Sequence, residues 1–243
     1  MQCDIKYRPA FAAIFVTLEP GETITAEAGA MVSMDSQLTM KTQLSGGLFP
    51  ALMRKFFGGE SLFVNVFINQ TRQNLSLVLT QSNLGDIEVI NLQGKAIYFQ
   101  PGAYIANTSG VKMGVRWAGF KSAFAGEGWF KLHLSGRGQV FFGAYGGITE
   151  KIVPGEFIVD NTHLVAYEPG IKMGIGLSGG LFGSLTSGEG FVNRLSGSGK
   201  IYLQSRSLNG LVGFLSPKIL KVGNRRRGIS QAGNIAERFI DGG

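Results

Sequence analysis

The hexapeptide Leu44-Ser-Gly-Gly-Leu-Phe49 returns unchanged as Leu177-Ser-Gly-Gly-Leu-Phe182, so this chain must fold into something that can be made by copying a smaller structure. A second pair, Val111-Lys-Met-Gly-Val115 and Ile171-Lys-Met-Gly-Ile175, precedes Gly119-Phe120 and Gly179-Gly-Leu-Phe182 and belongs to the same unit. Extended outward, one order appears three times. A Pro-Gly pair (Pro20-Gly21, Pro101-Gly102, Pro154-Gly155) is followed by a short alternating stretch, an apolar glycine loop and a Gly-Glu element (Gly59-Glu60, Gly126-Glu127, Gly188-Glu189). Behind the last two come Ser135-Gly-Arg-Gly138 and Ser196-Gly-Ser-Gly199, each leading into a strand-like run. The order predicts three diverged repeats over residues 1–72, 73–146 and 147–216, followed by a basic C-terminal tail, 217–243.

Within the repeats, apolar residues alternate with others: Phe130, Leu132 and Leu134 with Lys131 and His133, and Leu75, Leu77 and Leu79 with Ser76 and Val78. Period two is the signature of strands. Pro-Gly presets a turn, and Ser-Gly-x-Gly supplies hairpin or bulge geometry. The 37 glycines among 243 residues suit many tight turns; with 7 prolines and no glycine at every third position, they exclude collagen. Helical periodicity is confined to Leu48–Phe57 and the segment after Asn224. The predicted class is all-β, three tandem small β-sandwich-like repeats with pseudo-threefold symmetry, an arrangement that buries equivalent faces and protects strand edges. A β-sandwich of tandem halves is the other arrangement such units allow.

The formal charge of +7 is unevenly placed: residues 217–243 hold six basic residues against two acidic ones, and the body is close to neutral. Attraction to phosphate therefore concentrates in Lys218, Lys221 and Arg225-Arg226-Arg227, and nucleic acid is not an expected partner. The single cysteine, Cys3, cannot form an internal disulfide, which fits a reducing cytoplasm. Neither a cleaved secretion signal nor a membrane-spanning helix is expected, while attachment to a membrane surface stays open.

The triple Pro-Gly/Gly-Glu scheme, the Lys-Met-Gly elements, the Leu-Ser-Gly-Gly-Leu-Phe loops and the Ser-Gly-x-Gly turns together resemble the altered-inheritance-of-mitochondria (mitochondrial biogenesis) family over residues 1–216. The resemblance implies a fold like the tryptophan RNA-binding attenuation protein, with three small β units forming a ring-like single chain. Bacterial members of the family look like cytoplasmic proteins of unassigned activity, and eukaryotic relatives are linked to organisation of the mitochondrial inner membrane. No family catalytic motif is carried over.

The residues themselves point away from catalysis. Gly174-Ile-Gly-Leu-Ser-Gly179 satisfies G-x-G-x-x-G, but no helix-opening sequence follows and Arg194 stands where a ribose-binding acid is needed. His133 and His163 lack ligand-spaced partners, and Cys3 has no local base. Glu60, Glu127 and Glu189 occupy matching sites, yet three carboxylates fall short of the six to eight oxygens Ca²⁺ prefers, so no cofactor or metal is expected. The chain is not expected to be an enzyme.

The apolar loops carry the sharpest expectation. The first holds Phe49, Leu52, Met53, Phe56 and Phe57 beside Arg54 and Lys55; the second holds Trp117, Phe120 and Phe124; the third holds Leu181, Phe182 and Leu185. So much apolar surface requires a cover: the protein's own core, another subunit, or a lipid interface. These residues are the candidate interface or membrane-docking anchors of a homo-oligomeric scaffold or regulatory interaction protein. Its partners would be its own copies, another protein or an anionic membrane surface. The alternative is an RNA or small-ligand binding protein on a ring-like β scaffold. It draws on fold analogy and on a faint pairing of aromatic with basic residues at Arg116-Trp117.

Overall fold

A computed structural model describes residues 1–44, 63–117, 130–177 and 191–219. The chain divides after Arg206 into Met1–Arg206 and Ser207–Gly243, each taken by itself below.

Met1–Arg206 is predominantly β. In chain order its strands are β1 (Gln2–Lys6), β2 (Ala13–Leu18), β3 (Thr23–Glu27), β4 (Met31–Met34), β5 (Thr39–Leu44), β6 (Phe63–Ile68) and β7 (Leu75–Thr80). Then come β8 (Ile87–Phe99), β9 (Tyr104–Thr108), β10 (Val111–Trp117) and β11 (Phe130–Gly143). The last six are β12 (Ile148–Val153), β13 (Glu156–Asp160), β14 (Leu164–Tyr167), β15 (Ile171–Leu177), β16 (Phe191–Gly197) and β17 (Gly199–Gln204). A 3-10 turn over Asn161–His163 precedes β14, capped by the Asp160 carboxylate, which accepts from the Thr162 amide at 2.7 Å.

These strands form three sheets. One is four-stranded, in the order β1-β2-β7-β4; one is ten-stranded, β12-β17-β14-β8-β11-β9-β3-β6-β5 with β10 beside β11; the third is β13-β16-β15. All strand pairings within them are antiparallel. Alternation is realised where the sequence predicts it. In β2 and β7, Ile14, Val16, Leu18, Leu75, Leu77 and Leu79 turn inward, with Ile14 opposite Leu79 and Val16 opposite Leu77.

One pairing scheme runs along the chain. β2 pairs β7 and β3 pairs β6; β12 pairs β17 and β13 pairs β16; between them the long β8 pairs end to end with β11, from Leu132 opposite Phe99 to Gly143 opposite Ile87. β4 returns to β7, β9 to β11 and β14 to β17. Each return carries the same one-residue irregularity, which leaves Val32, Ile105 and Val165 outside the ladder. β5, β10 and β15 then lie along β6, β11 and β16.

The first Ser-Gly-x-Gly segment is a bulge, and the second is the break at Ser198 between β16 and β17. The ladder of β11 on β8 shifts between Ser135 and Arg137, with Gly136 at φ 116°, and Gly197 takes φ 107°. A Cβ on either glycine would overlap a backbone carbonyl oxygen, of Gly110 or Gly170 respectively. Glycine is required there twice over, by conformation and by room.

Buried apolar side chains form three clusters. The first unites Ile14, Leu18, Phe67, Leu77 and Leu79 with Ile105, Ala106 and Phe141; the second unites Phe99, Leu134 and Phe142 with Val165, Ala166 and Tyr202. The third is smaller and holds only residues from Val153 to Ile201, among them Val159, Tyr167 and Leu195.

In Ser207–Gly243, residues 208–219 are helical. Ser207 caps this helix, its hydroxyl accepting from the Gly210 amide at 2.9 Å. Leu208, Val212, Leu215 and Ile219 share a face and are exposed, and the Lys218 ammonium lies 3.4 Å from the centre of the Phe214 ring. No helix among the described residues is long and apolar enough to cross a membrane.

Candidate functional site

Three antiparallel arms project from the pairing scheme, and their outermost pairs are Leu44 with Phe63, Trp117 with Phe130, and Leu177 with Phe191. The segments 45–62, 118–129 and 178–190 therefore each join the two strands of one arm. Phe49, Leu52, Met53, Arg54, Lys55, Phe56, Phe57, Phe120, Phe124, Leu181, Phe182 and Leu185 fall in these segments, outside the described residues, as do Glu60, Glu127 and Glu189. Trp117 is placed by its backbone as the last residue of β10.

Below the arms, polar and aromatic side chains gather between β8, β11, β14 and β15. Tyr98 stacks on Tyr167 with ring centres 5.3 Å apart and meets the His133 ring at 5.1 Å. Lys131, which alternation alone would turn outward, is 4% exposed. Its ammonium lies 3.2 Å from the Met173 sulfur and 5.1 Å from the Tyr167 ring centre. The reason is that β11 is covered on both faces here, Leu132 and Leu134 being buried as well. His133 is half-buried, and burial, aided by the Arg116 charge, lowers its pKa. The Lys131–Met173 contact ties the second arm to the third.

A cleft of about 260 Å³ lies between β8 and the strands β12, β14 and β17. In it the Lys200 ammonium meets Glu150 at 2.7 Å, and the Tyr202 hydroxyl donates to the same carboxylate at 3.2 Å. The Lys200 contact holds Glu150 below the usual carboxylate range. Burial first, then Glu150, push Tyr202 up. These groups satisfy one another.

Side chains that sequence reasoning weighed for catalysis are engaged otherwise. Burial pushes the Cys3 thiol up to about 11, so it is protonated at neutral pH. His163 Nδ1 lies 2.7 Å from the Gln204 carbonyl oxygen. Among the described residues no group of three His, Cys, Asp or Glu side chains is placed to hold a metal.

Sequence reasoning missed one recurring feature. Asp35 Oδ2 accepts from the Ser76 amide at 2.7 Å, Thr108 Oγ1 from the Gln139 amide at 2.9 Å, and Glu168 Oε2 from the Lys200 amide at 2.9 Å. Each acceptor stands at the end of a returning strand, but the three residue types differ, so no motif betrays them.

A predominantly β protein with three strand arms and mutually neutralised polar clusters is the class these observations define. The sequence profile of the mitochondrial biogenesis family AIM24 matches residues 3–206, and the chain belongs to that family. It is 29% identical over 215 residues to an uncharacterized protein of Streptococcus pyogenes serotype M6, covering 84% of this chain and 86% of that one. It is also similar to a Streptococcus pyogenes protein of known crystal structure, with a TM-score of 0.73 and 26% identity over 89% of this chain and 99% of that one.

Proposed function

We propose that this chain is a non-enzymatic, homo-oligomeric scaffold or regulatory interaction protein of the cytoplasm, able to sit on an anionic membrane surface. In this reading it is built as three tandem β-sandwich-like repeats about a pseudo-threefold axis. The shared pairing scheme supports the repeats, since β2–β7, β8–β11 and β12–β17 follow one strand order with one irregularity at Val32, Ile105 and Val165. Because β7 bonds to β2 and β4, the first repeat is better ended after Thr80 than at residue 72, with the others over 87–143 and 148–204.

The observation that carries the functional reading is the placement of the apolar segments. Each interrupts the same antiparallel arm of its repeat, so three oily insertions occupy equivalent positions. Copying an insertion with its phenylalanines into equivalent places serves a surface that meets a partner along one rim. Arg54 and Lys55 would orient that rim on acidic headgroups.

Two measurements test this. Light scattering should show a mass above one chain that falls for Phe49→Asp with Phe182→Asp; an unchanged mass removes the loops from assembly. Sedimentation with phosphatidylserine vesicles should weaken with salt and with Arg54→Glu/Lys55→Glu, and salt-insensitive, unchanged binding would end the electrostatic docking idea.

A further inference from the structure

The repeats are joined to one another by a specific strand pairing that is made twice. β3 of the first pairs β9 of the second, with Ala26 opposite Ala106 and Thr25 opposite Asn107. The second half of β8 pairs β14 of the third, with Phe99 opposite Ala166 and Tyr98 opposite Tyr167. In the shared strand order these are the same junction in the same register.

A third such junction would pair β13 with β4, but these strands lie in different sheets, at the edge of each. Among the described residues, the outer edges of β5, β10 and β15 are unpaired in all three repeats, and only β4 and β13 have an open edge that both of their counterparts have paired.

Burial marks what is missing. Ile105 and Val165, the bulged residues of β9 and β14, are 1% and 2% exposed and sit in the core clusters of the preceding repeats. Their counterpart Val32 is 58% exposed, Met31 beside it is exposed too, and on β13 Ile158 is 55% exposed. The third core cluster receives no residue from a following repeat.

The isolated bridges of Phe11 with Gly85 and of Gly85 with Gly146 show the same omission. The Ala12 amide donates to Gly85 O at 3.1 Å and the Asp86 amide to Gly146 O at 2.8 Å. The next amide in that series, Gly147, donates to Ser205 Oγ, and Phe11, the residue that would receive it, is exposed.

We propose that β13 of one chain pairs antiparallel with β4 of a second copy, Val159 opposite Ser33 and Ile158 opposite Met34, so that Val32 enters the third core cluster of its neighbour. This rests on the three-repeat reading. The contact is heterologous and leaves the same two edges at the ends of the pair, so it grows until the rotation closes a ring. An apolar edge strand without charge or proline, such as Met31–Met34, is one that proteins ordinarily cover.

The test uses the full chain carrying Cys3→Ser. Met34→Cys with Ile158→Cys should oxidise to a disulfide between chains, seen as a two-chain and higher ladder without reductant. Val32→Lys with Ile158→Lys, two exposed sites that leave the circular dichroism intact, should reduce the mass in solution to the single-chain 26.0 kDa. A disulfide within one chain overturns the proposal, because the chain then closes on itself. An oligomer that neither cross-links here nor responds to the lysines overturns this junction and spares the scaffold reading, while a wild-type monomer overturns both.

Discussion

Replacing Gly197 by alanine tests whether the bulge glycines hold two backbones together or merely accept an unusual dihedral. Gly197 and Gly94 both have positive φ, 107° and 84°. Around Gly94 a Cβ meets nothing within 4 Å, whereas at Gly197 it would overlap the Gly170 carbonyl oxygen, backbone that cannot swing aside as a side chain can. Gly94→Ala should therefore cost only the conformational penalty, roughly 1–2 kcal/mol. Gly197→Ala adds the displacement of β15 from β16, roughly another 1–3 kcal/mol on the scale of overpacked cores, for a total of roughly 2–5 kcal/mol. Urea titration followed by intrinsic fluorescence measures both. Equal losses in the two variants would refute the packing half of the reasoning and leave φ as the sole constraint.

Three further outcomes follow from the polar contacts. Arg8 grips Asp86 through two bonds, of 2.7 and 2.9 Å, and also reaches Glu88, so Arg8→Ala strands a nearly buried carboxylate. Since Arg8 itself is 40% exposed, the loss should be about 1–2 kcal/mol in chemical denaturation, and a loss indistinguishable from zero would show the pair to be idle. Glu150, held below its ordinary value of 4.5 chiefly by Lys200, stabilises the fold above that pH, and the contribution disappears as pH falls through the lower folded value. Glu150→Gln should accordingly lower the urea midpoint at pH 7 and lower it progressively less as the pH falls below 4.5; an equal drop throughout would assign the effect to packing. Cys3, with its pKa near 11, should react with iodoacetamide far more slowly than a free thiol at pH 8, and comparable rates by mass spectrometry would contradict its burial.

Much of the fold was legible because alternation and glycine placement report what the local backbone demands. The alternation in Leu75–Leu79 and Phe130–Leu134 marks real strands, and Ser135-Gly-Arg-Gly138 marks a real bulge. Pro20-Gly21 and Pro101-Gly102 are both turns, closed by Glu22 N to Glu19 O at 3.1 Å and Ala103 N to Gln100 O at 3.3 Å. They are not the same turn: the first joins β2 to β3, and the second joins β8 to β9. Proline and glycine report that a chain bends, not which bend it is. The helix over 208–219 escaped periodicity because its glycines and Pro217 dilute a short apolar face, although Ser207 stood in the capping position. Lys131 shows the deeper limit. A strand's pattern states which residues share a face, but whether the opposite face meets water depends on what distant strands lay against it, here Tyr167 of β14 and Met173 of β15. The same dependence governs Val32, Ile105 and Val165. All three are apolar, and the local sequence gives no sign that two are buried and one is bare; the neighbouring strand separates them, since β9 lies against β3 and β14 against β8, while β4 pairs only with β7 among the described residues.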